Sequence, residues 1–252
     1  MQHSKNNDSC QRSDVTILIN QAKLVDENTK VILYNFPSNP TGAMLTNDQR
    51  DELLNFALKH DLWIITDEVY DRIIYEGKHV SFVGTGYEKV LLINSFSKTF
   101  AMTGWRIGYV LSPNLDAMEQ IVKLQYYLAA CSNDGMQYAV LAAFEQASDY
   151  PAEMAREFKE RRDLICERLN NMPGVSCHIP KGAFYVFPKV SVEGMNSEDL
   201  AIELLKGGVL CSPGTAFGES GEGHLRFAYT ISKEDISKGM DKVEAVLQKL
   251  TT

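Results

Sequence analysis

The sequence predicts an α/β fold with a mainly parallel sheet and flanking helices, followed by a smaller C-terminal α+β domain. In the first part of the chain, short continuous apolar runs alternate with amphipathic segments, as is typical of parallel strands covered on both faces. In the last part, pairs of predicted strands alternate with single helices, which is typical of an α+β unit. We place a polar tail at residues 1–14, a large domain at 15–155 and a small domain at 156–252.

The strands of the predicted large domain are apolar runs that stop at turn-forming or polar residues. They lie at residues 30–34, 62–66, 90–94 and 109–111. Thr46 and Gln49 have the spacing of a capping box, which predicts a helix from there to about Lys59. Further helices are predicted at residues 114–130 and 134–146.

The predicted small domain begins within a long helix. Pro151 fits the first turn of this helix, and apolar residues at helical spacing continue the pattern to about Asn170. The strands predicted beyond it are residues 175–179, 183–187, 208–211 and 224–229. The remaining predicted helices are residues 197–206 and 233–249.

The composition argues against several classes of protein. Hydrophobic residues make up 44% of the chain, and the net charge of −8 argues against a nucleic-acid or anionic-membrane surface. No apolar run reaches the roughly 18 residues that a membrane helix needs, and the first residues lack a secretory signal. The five cysteines and five histidines show no metal-ligand or catalytic spacing. We therefore expect a cytoplasmic protein with free thiols and no metal site.

Polar and charged residues follow three of the predicted strands. Ligands bind beyond the carboxyl ends of the strands in open parallel sheets, so these residues are candidates for a binding site. They are Asn39 after the first strand, Asp67 and Tyr70 after the second, and Ser95, Lys98 and Arg106 after the third.

Each candidate also has a simpler interpretation. Asn39 fits a turn residue, and Asp67 fits the N-cap of a following helix. Lys98 fits a solvated loop lysine, and Arg106 fits an ordinary ion-pair partner. We favour a single ligand that contacts all of them, because it explains why they share one position in the predicted sheet.

Lys98 and Arg106 together suit a cofactor that carries an aldehyde and a phosphate. A lysine that forms a Schiff base must be neutral part of the time, and partial burial beside a cation such as Arg106 lowers its pKa. The planar guanidinium of Arg106 can bind a phosphate through two N–H groups, and the hydroxyl of Ser95 can donate to the same phosphate.

The other candidates suit the ring of such a cofactor. A carboxylate at Asp67 can pair with a protonated pyridine nitrogen, while Asn39 and Tyr70 can donate hydrogen bonds to a phenolate oxygen. Pyridoxal 5′-phosphate (PLP) carries all of these groups. The residues therefore predict a PLP site.

Six short segments extend this pattern along the chain. In order they are NPTG (39–42), DEVY (67–70), SFSKTFAMTGWRIGY (95–109), KGAFY (181–185), PGTAFG (213–218) and HLRFAY (224–229). Their order and spacing resemble the class I/II aminotransferases, the aspartate aminotransferase-like enzymes of PLP fold type I. The resemblance implies a homodimeric enzyme that transfers the amino group of an L-amino acid to a 2-oxo acid.

The resemblance also implies a role for each candidate residue. Lys98 would form the Schiff base with PLP and move the proton on the substrate, with Asp67 and Tyr70 as the other catalytic residues. The cofactor-binding residues would be Asn39, Asp67, Tyr70, Ser95, Lys98 and Arg106. Arg226 would bind the substrate α-carboxylate beside Asn39, and the Asn39–Pro40 peptide bond would be cis.

Gly182, Phe184 and Tyr185 have two interpretations. They fit the lip of a substrate pocket, and the two aromatic residues fit an ordinary strand in the core equally well. The sequence does not decide between them, and it does not identify the amino acid or the oxo acid.

The sequence departs from the family on its N-terminal side. The family's segment before residue 30, which holds a phosphate-binding turn, an aromatic ring over the pyridine and much of the dimer surface, has no counterpart here. Two alternatives to an active aminotransferase therefore stay open. One is a truncated or alternatively spliced chain without catalysis on its own. The other is a different fold type I enzyme, such as an aminocyclopropane-carboxylate synthase, a C–S lyase or a decarboxylase.

Overall fold

The computed structural model describes residues 25–251, and the polar tail predicted at 1–14 lies outside them. The described chain forms two compact units. The first contains the described residues up to Pro37 and Ala43–Pro151, and the second contains Ser38–Gly42 and the residues from Ala152 onward. The assignment of a PLP-binding large domain to 15–155 and a small domain to 156–252 stays a prediction.

The first unit is built on a four-stranded sheet in the order β1-β2-β3-β4. Its strands are β1 (Val31–Asn35), β2 (Trp63–Asp67), β3 (Val90–Ser95) and β4 (Gly108–Leu111). The first three strands are parallel, and β4 is antiparallel to β3. The α/β class and the mainly parallel sheet predicted from the sequence are therefore confirmed.

Helices connect and cover these strands. They are α1 (Asn47–His60), α2 (Phe96–Thr99), α3 (Leu115–Ala129) and α4 (Asp134–Gln146), with a 3-10 turn at Thr103–Trp105. The predicted capping box is present at the start of α1, because the side chains of Thr46 and Gln49 accept hydrogen bonds from each other's backbone N–H groups. Leu53 and Ala57 of α1 pack into a buried cluster that also contains Tyr34, Leu45, Leu62, Ile64, Phe82 and Val90.

The second unit combines short antiparallel strands with helices. The chain enters it within α5 (Tyr150–Asn170) and continues through β5 (Val175–Ser176), β6 (Tyr185–Val186), β7 (Lys189–Val190), α6 (Ser197–Lys206), β8 (Ser212–Pro213), β9 (Leu225–Ala228) and α7 (Lys233–Leu250). Strand β9 lies between β6 and β8 and is antiparallel to both. Two 3-10 turns, Gly214–Phe217 and Glu219–Gly221, lie between β8 and β9.

The strand predicted at residues 208–211 is wrong. Helix α6 ends at Lys206, and Gly208 then adopts a left-handed backbone conformation with φ of +83°. The N–H of Val209 donates to the carbonyl of Leu204 at 2.9 Å, which closes the C-terminal end of the helix. These residues terminate α6, so the strand begins only at Ser212.

The other strands of the second unit are shorter than predicted. Ala183 has a positive φ of 58°, and the regular pairing of β6 is limited to Tyr185 and Val186 opposite Ala228 and Phe227. Between residues 25 and 251, no helix has the length and apolar character needed to cross a membrane.

Candidate active site

The ends of four strands meet at one edge of the sheet in the first unit. Because β1, β2 and β3 are parallel, their carboxyl ends share this edge, and Asn35, Asp67 and Ile93 are neighbours in register. Strand β4 runs in the opposite direction, so it begins at the same edge, with Gly108 opposite Ser95. The sheet therefore brings Asp67, Ser95 and the segment before β4 to one side of the unit.

Lys98 lies in the short helix that follows β3. Ser95 is the N-cap of this helix, and its hydroxyl oxygen accepts a hydrogen bond from the N–H of Ser97 at 3.3 Å. The Nζ of Lys98 lies 5.9 Å from the centre of the Tyr70 ring. Burial lowers the pKa of Lys98, the nearby charge of Arg106 lowers it further, and Asp67 partly opposes both effects. Lys98 is thus not the solvated loop lysine of the simpler interpretation.

Asp67 occupies the last position of β2. One carboxylate oxygen accepts the N–H of Val69 at 3.2 Å, and the other has no hydrogen-bond partner among residues 25–251. Burial raises the pKa of this carboxyl group, although the Val69 bond and the charge of Lys98 act in the opposite direction. The segment after Asp67 forms turns rather than a helix, so Asp67 is not a helix N-cap.

Glu68 is buried directly beside Asp67 and was missed in the analysis of the sequence. Its side chain is 3% exposed and accepts hydrogen bonds from Thr66 at 3.1 Å and Ser81 at 2.9 Å. The Nε2 of His79 lies 2.5 Å from its second oxygen. A strand turns successive side chains to opposite sides, so Glu68 fixes the end of β2 from the side away from Asp67. In the sequence, the only sign of this role of Glu68 was that two acidic residues, Asp67 and Glu68, follow the predicted strand 62–66.

Arg106 precedes β4 in a left-handed backbone conformation with φ of 53°. Its side chain is exposed, and Nη1 donates to the carbonyl of Thr103 at 3.0 Å. Gly108 lets the chain pass close to β3, since a Cβ there would lie 2.6 Å from the carbonyl oxygen of Asn94. This close approach keeps the segment of Arg106 beside the end of β3, which Lys98 follows. The charge of Arg106 accordingly lowers the pKa of Lys98.

Asn39 and Arg226 lie together in the second unit. The Asn39–Pro40 peptide bond is cis, which confirms the prediction, and the Phe36–Pro37 bond is also cis. Nη1 of Arg226 donates to Oδ1 of Asn39 at 2.8 Å, and Nη2 donates to the hydroxyl of Ser212 at 3.0 Å. Residues that are 187 positions apart in sequence thus form one polar cluster.

The KGAFY segment packs beside this cluster. Gly182 donates its N–H to the carbonyl of Gly42 at 3.0 Å. Phe184 is buried, and its ring lies 5.5 Å from the ring of Phe158 and 4.8 Å from that of Tyr185. The ring of Tyr185 lies 4.7 Å from the guanidinium carbon of Arg226. Phe184 therefore has the contacts of a core residue, while Tyr185 reaches the Arg226 cluster.

Most of the chain matches a known protein family and curated relatives. The model of the aminotransferases of class I and II matches residues 2–243. The chain belongs to the class I and II aminotransferase family. An aspartate aminotransferase of Pyrococcus abyssi is 41% identical over 233 residues, which cover 90% of this chain and 59% of that protein. An aromatic-amino-acid aminotransferase of Thermococcus litoralis is 40% identical with the same coverage.

Solved structures of aminotransferases have the same fold. An aromatic aminotransferase from Pyrococcus horikoshii superposes with a TM-score of 0.86 at 39% identity, covering 92% of this chain and 63% of that one. An alanine aminotransferase from Pyrococcus furiosus gives a TM-score of 0.85 at 34% identity, covering 94% and 61%. The chain thus spans about 59% of the length of the curated relatives named above.

The side chains of the first unit fit the PLP that this family implies. An amine with a lowered pKa lies near a half-buried carboxylate, and one oxygen of that carboxylate has no partner among the described residues. A hydroxyl and a guanidinium flank the amine in sequence. Asp67, Tyr70, Ser95, Lys98 and Arg106 all belong to the first unit, and Asn39 and Arg226 belong to the second.

Proposed function

We propose that this chain is a PLP-dependent aminotransferase that transfers the amino group of an L-amino acid to a 2-oxo acid. The observation that carries the proposal is the electrostatic arrangement around Lys98. Burial and Arg106 both favour its neutral form, and a half-buried carboxylate lies near it. A lysine whose pKa is lowered in this way is more often neutral than a surface lysine, which suits it to bind an aldehyde and to exchange protons.

Each residue of the first unit has a specific part in this proposal. When bound, PLP supplies an aldehyde that condenses with amines and a protonated pyridine ring that withdraws electrons from the substrate Cα. Lys98 would hold the aldehyde through Nζ and would move a proton at the substrate Cα. Asp67 would pair with the pyridine nitrogen through its carboxylate, while Ser95 and Arg106 would bind the phosphate.

The remaining residues orient the ring and the substrate. Tyr70 and Asn39 are the residues proposed to donate hydrogen bonds to the phenolate oxygen that the cofactor would present. Arg226 binds the α-carboxylate of the amino acid, because its contacts with Asn39 and Ser212 hold a guanidinium that has further N–H donors. The proposed substrate class is therefore an L-amino acid. The relatives are named for aspartate and for aromatic amino acids, so the proposal does not specify the side chain of the substrate.

The partners proposed for the chain are those of the family. They are the amino acid and oxo acid substrates and a second copy of the chain in a cytoplasmic homodimer. A second candidate function is cofactor binding without turnover. The proposed cofactor ligands Asp67, Tyr70, Ser95, Lys98 and Arg106 all belong to the first unit, and the chain spans about 59% of the length of the Pyrococcus abyssi relative.

The experiment that tests the proposal adds PLP to the purified chain and records its visible absorption before and after borohydride reduction. We expect a reducible absorption band, and peptide mapping should find the reduced cofactor on Lys98. The Lys98→Ala variant should lose the band. The Lys123→Ala variant is the matched control, since Lys123 is an exposed lysine of the same unit. Adducts spread over surface lysines would contradict the proposed site.

Product analysis then separates the candidate functions. An aminotransferase converts 2-oxoglutarate and an L-amino acid into glutamate and the matching oxo acid, whereas a lyase or decarboxylase releases other products. A band on Lys98 without amino-group transfer would support cofactor binding alone.

A further inference from the structure

Arg226 is flanked by two aromatic rings. Its guanidinium carbon lies 4.7 Å from the centre of the Tyr185 ring and 4.7 Å from the centre of the Phe217 ring. Both distances are within the range of a cation–π contact. The hydrogen bonds to Asn39 and Ser212 lie along N–H directions, which are in the plane of the guanidinium. The two rings therefore contact the guanidinium at its central carbon, and its N–H donors lie in its plane.

Arg226 carries a charge that no neighbouring carboxylate balances. Its partners are an amide oxygen, a hydroxyl and two rings, and no carboxylate of residues 25–251 lies within 4.0 Å of it. Other arginines of the second unit do form ion pairs, as Arg161 does with Glu157 at 3.0 Å. Arg226 is a half-buried cation without a carboxylate counter-charge, although the chain has a net charge of −8. Such a cation is suited to bind an anion.

The two rings are held in place by the second unit itself. Tyr185 is 8% exposed and belongs to β6, which pairs with β9, the strand of Arg226. Phe217 is 38% exposed and ends the 3-10 turn that begins at Gly214. This turn is closely packed, since a Cβ at Gly214 would lie 1.9 Å from the carbonyl oxygen of Gly221. The rings thus have positions that do not depend on a ligand.

We propose that Tyr185 and Phe217 are positioning residues, which hold Arg226 so that it binds a planar carboxylate within its own plane. A carboxylate presents two oxygens that match two parallel N–H groups. We infer that the two rings cover the faces of the guanidinium, where the third oxygen of a sulfonate, which lies outside that plane, would meet them. The ring pair therefore favours carboxylates over tetrahedral anions of equal charge. This inference rests on the proposed role of Arg226 as the receptor of the substrate carboxylate.

The test compares two anions that differ only in the charged group. The probes are 3-phenylpropanoate and 2-phenylethanesulfonate, titrated into the whole chain and followed by ligand-observed NMR. The wild type should bind the propanoate more tightly than the sulfonate. Phe217→Leu removes the ring but retains an apolar side chain, and it should weaken propanoate binding about tenfold and reduce the preference over sulfonate. In turnover assays, the same variant should raise KM for the amino acid more than it changes kcat.

Two variants control for damage to the fold. Phe187 contacts the ring of Phe217 at 6.0 Å and has no described contact with Arg226, so Phe187→Leu should keep both the affinity and the preference. Phe217→Tyr keeps the ring and should also behave like the wild type. Loss of affinity in Phe187→Leu equal to that in Phe217→Leu would overturn the positioning role.

A further variant distinguishes the failure of this inference from the failure of the proposed function. Arg226→Gln should abolish binding of both probes. If it does and Phe217→Leu binds like the wild type, the positioning role is wrong and the proposed role of Arg226 stands. If Arg226→Gln binds the propanoate as tightly as the wild type, both are wrong.

Discussion

The pKa of Lys98 depends on two charges of opposite sign. Arg106 disfavours the protonated amine, and Asp67 favours it, while burial adds to the effect of Arg106. The net result is a pKa below that of an ordinary lysine. Lys98 is therefore neutral over a wider pH range than a surface lysine, which is the property that the proposed chemistry needs.

Substitutions at the two charged residues should shift the titration of Lys98 in opposite directions. Arg106→Gln removes a charge that lowers the pKa, so amine labelling of Lys98 should begin at higher pH. Asp67→Asn removes a charge that raises the pKa, so labelling should begin at lower pH. The measurement is the pH dependence of labelling with a dilute amine reagent, read for each lysine by peptide mass spectrometry. Exposed Lys123 in the same sample is the internal control, and shifts in the same direction for both variants would contradict this account.

The sequence marks Lys98 and Asp67 as candidates in the first unit, because charged residues rarely follow buried strands without a partner or a ligand. Their roles stay predictions. Glu68 and Phe217 could not be identified in this way. The contacts that explain Glu68 come from His79 and Ser81, and the contact of Phe217 is with Arg226, so both depend on tertiary packing.

At the scale of elements, the long and strongly patterned segments were predicted well and the short ones were not. The capping box at α1 and the apolar runs of β1, β2 and β3 are local signals, and the structure has elements at these places. Residues 208–211 are apolar enough for a strand, but Gly208 and Val209 close the end of α6 instead. These residues form the end of helix α6 instead of a strand, and the periodicity of apolar residues does not reveal where a helix ends.

The capping box of α1 makes a prediction about stability. Thr46→Ala removes the oxygen that accepts the N–H of Gln49 at 3.2 Å, and this should lower the free energy of unfolding by about 1 kcal/mol. Urea unfolding should show a lower midpoint with an unchanged slope. Thr46→Ser keeps a hydroxyl that can form the same bond, so its midpoint should stay near that of the wild type. An equal loss in both variants would assign the effect to packing of the Thr46 methyl group.

At the scale of the whole molecule, helix α3, which was predicted at residues 114–130, has no buried residue. Leu115, Tyr127 and Leu128 are between 74% and 79% exposed. An amphipathic pattern indicates that a helix has an apolar side, but it does not indicate what covers that side. The sequence therefore predicted the helix correctly without predicting its surroundings.

The proposed cofactor ligands are distributed unequally between the two units. Asp67, Tyr70, Ser95, Lys98 and Arg106 belong to the first unit, and only Asn39 of the proposed cofactor ligands belongs to the second. A ligand stabilises the part of a protein whose folded form binds it. Bound PLP should therefore protect the first unit more than the second.

Hydrogen exchange measures this difference directly. At a PLP concentration about 100-fold above its Kd, amide exchange in β2 and β3 should slow by up to about 100-fold where it requires opening of the site. Exchange in α7, a helix of the second unit that lacks any proposed cofactor ligand, should slow much less. The Lys98→Ala chain should show little protection at the same PLP concentration, since it lacks the covalent contact. Equal protection of β2, β3 and α7 would mean that the cofactor stabilises both units alike, and protection that persists in Lys98→Ala would mean that Lys98 contributes little to binding.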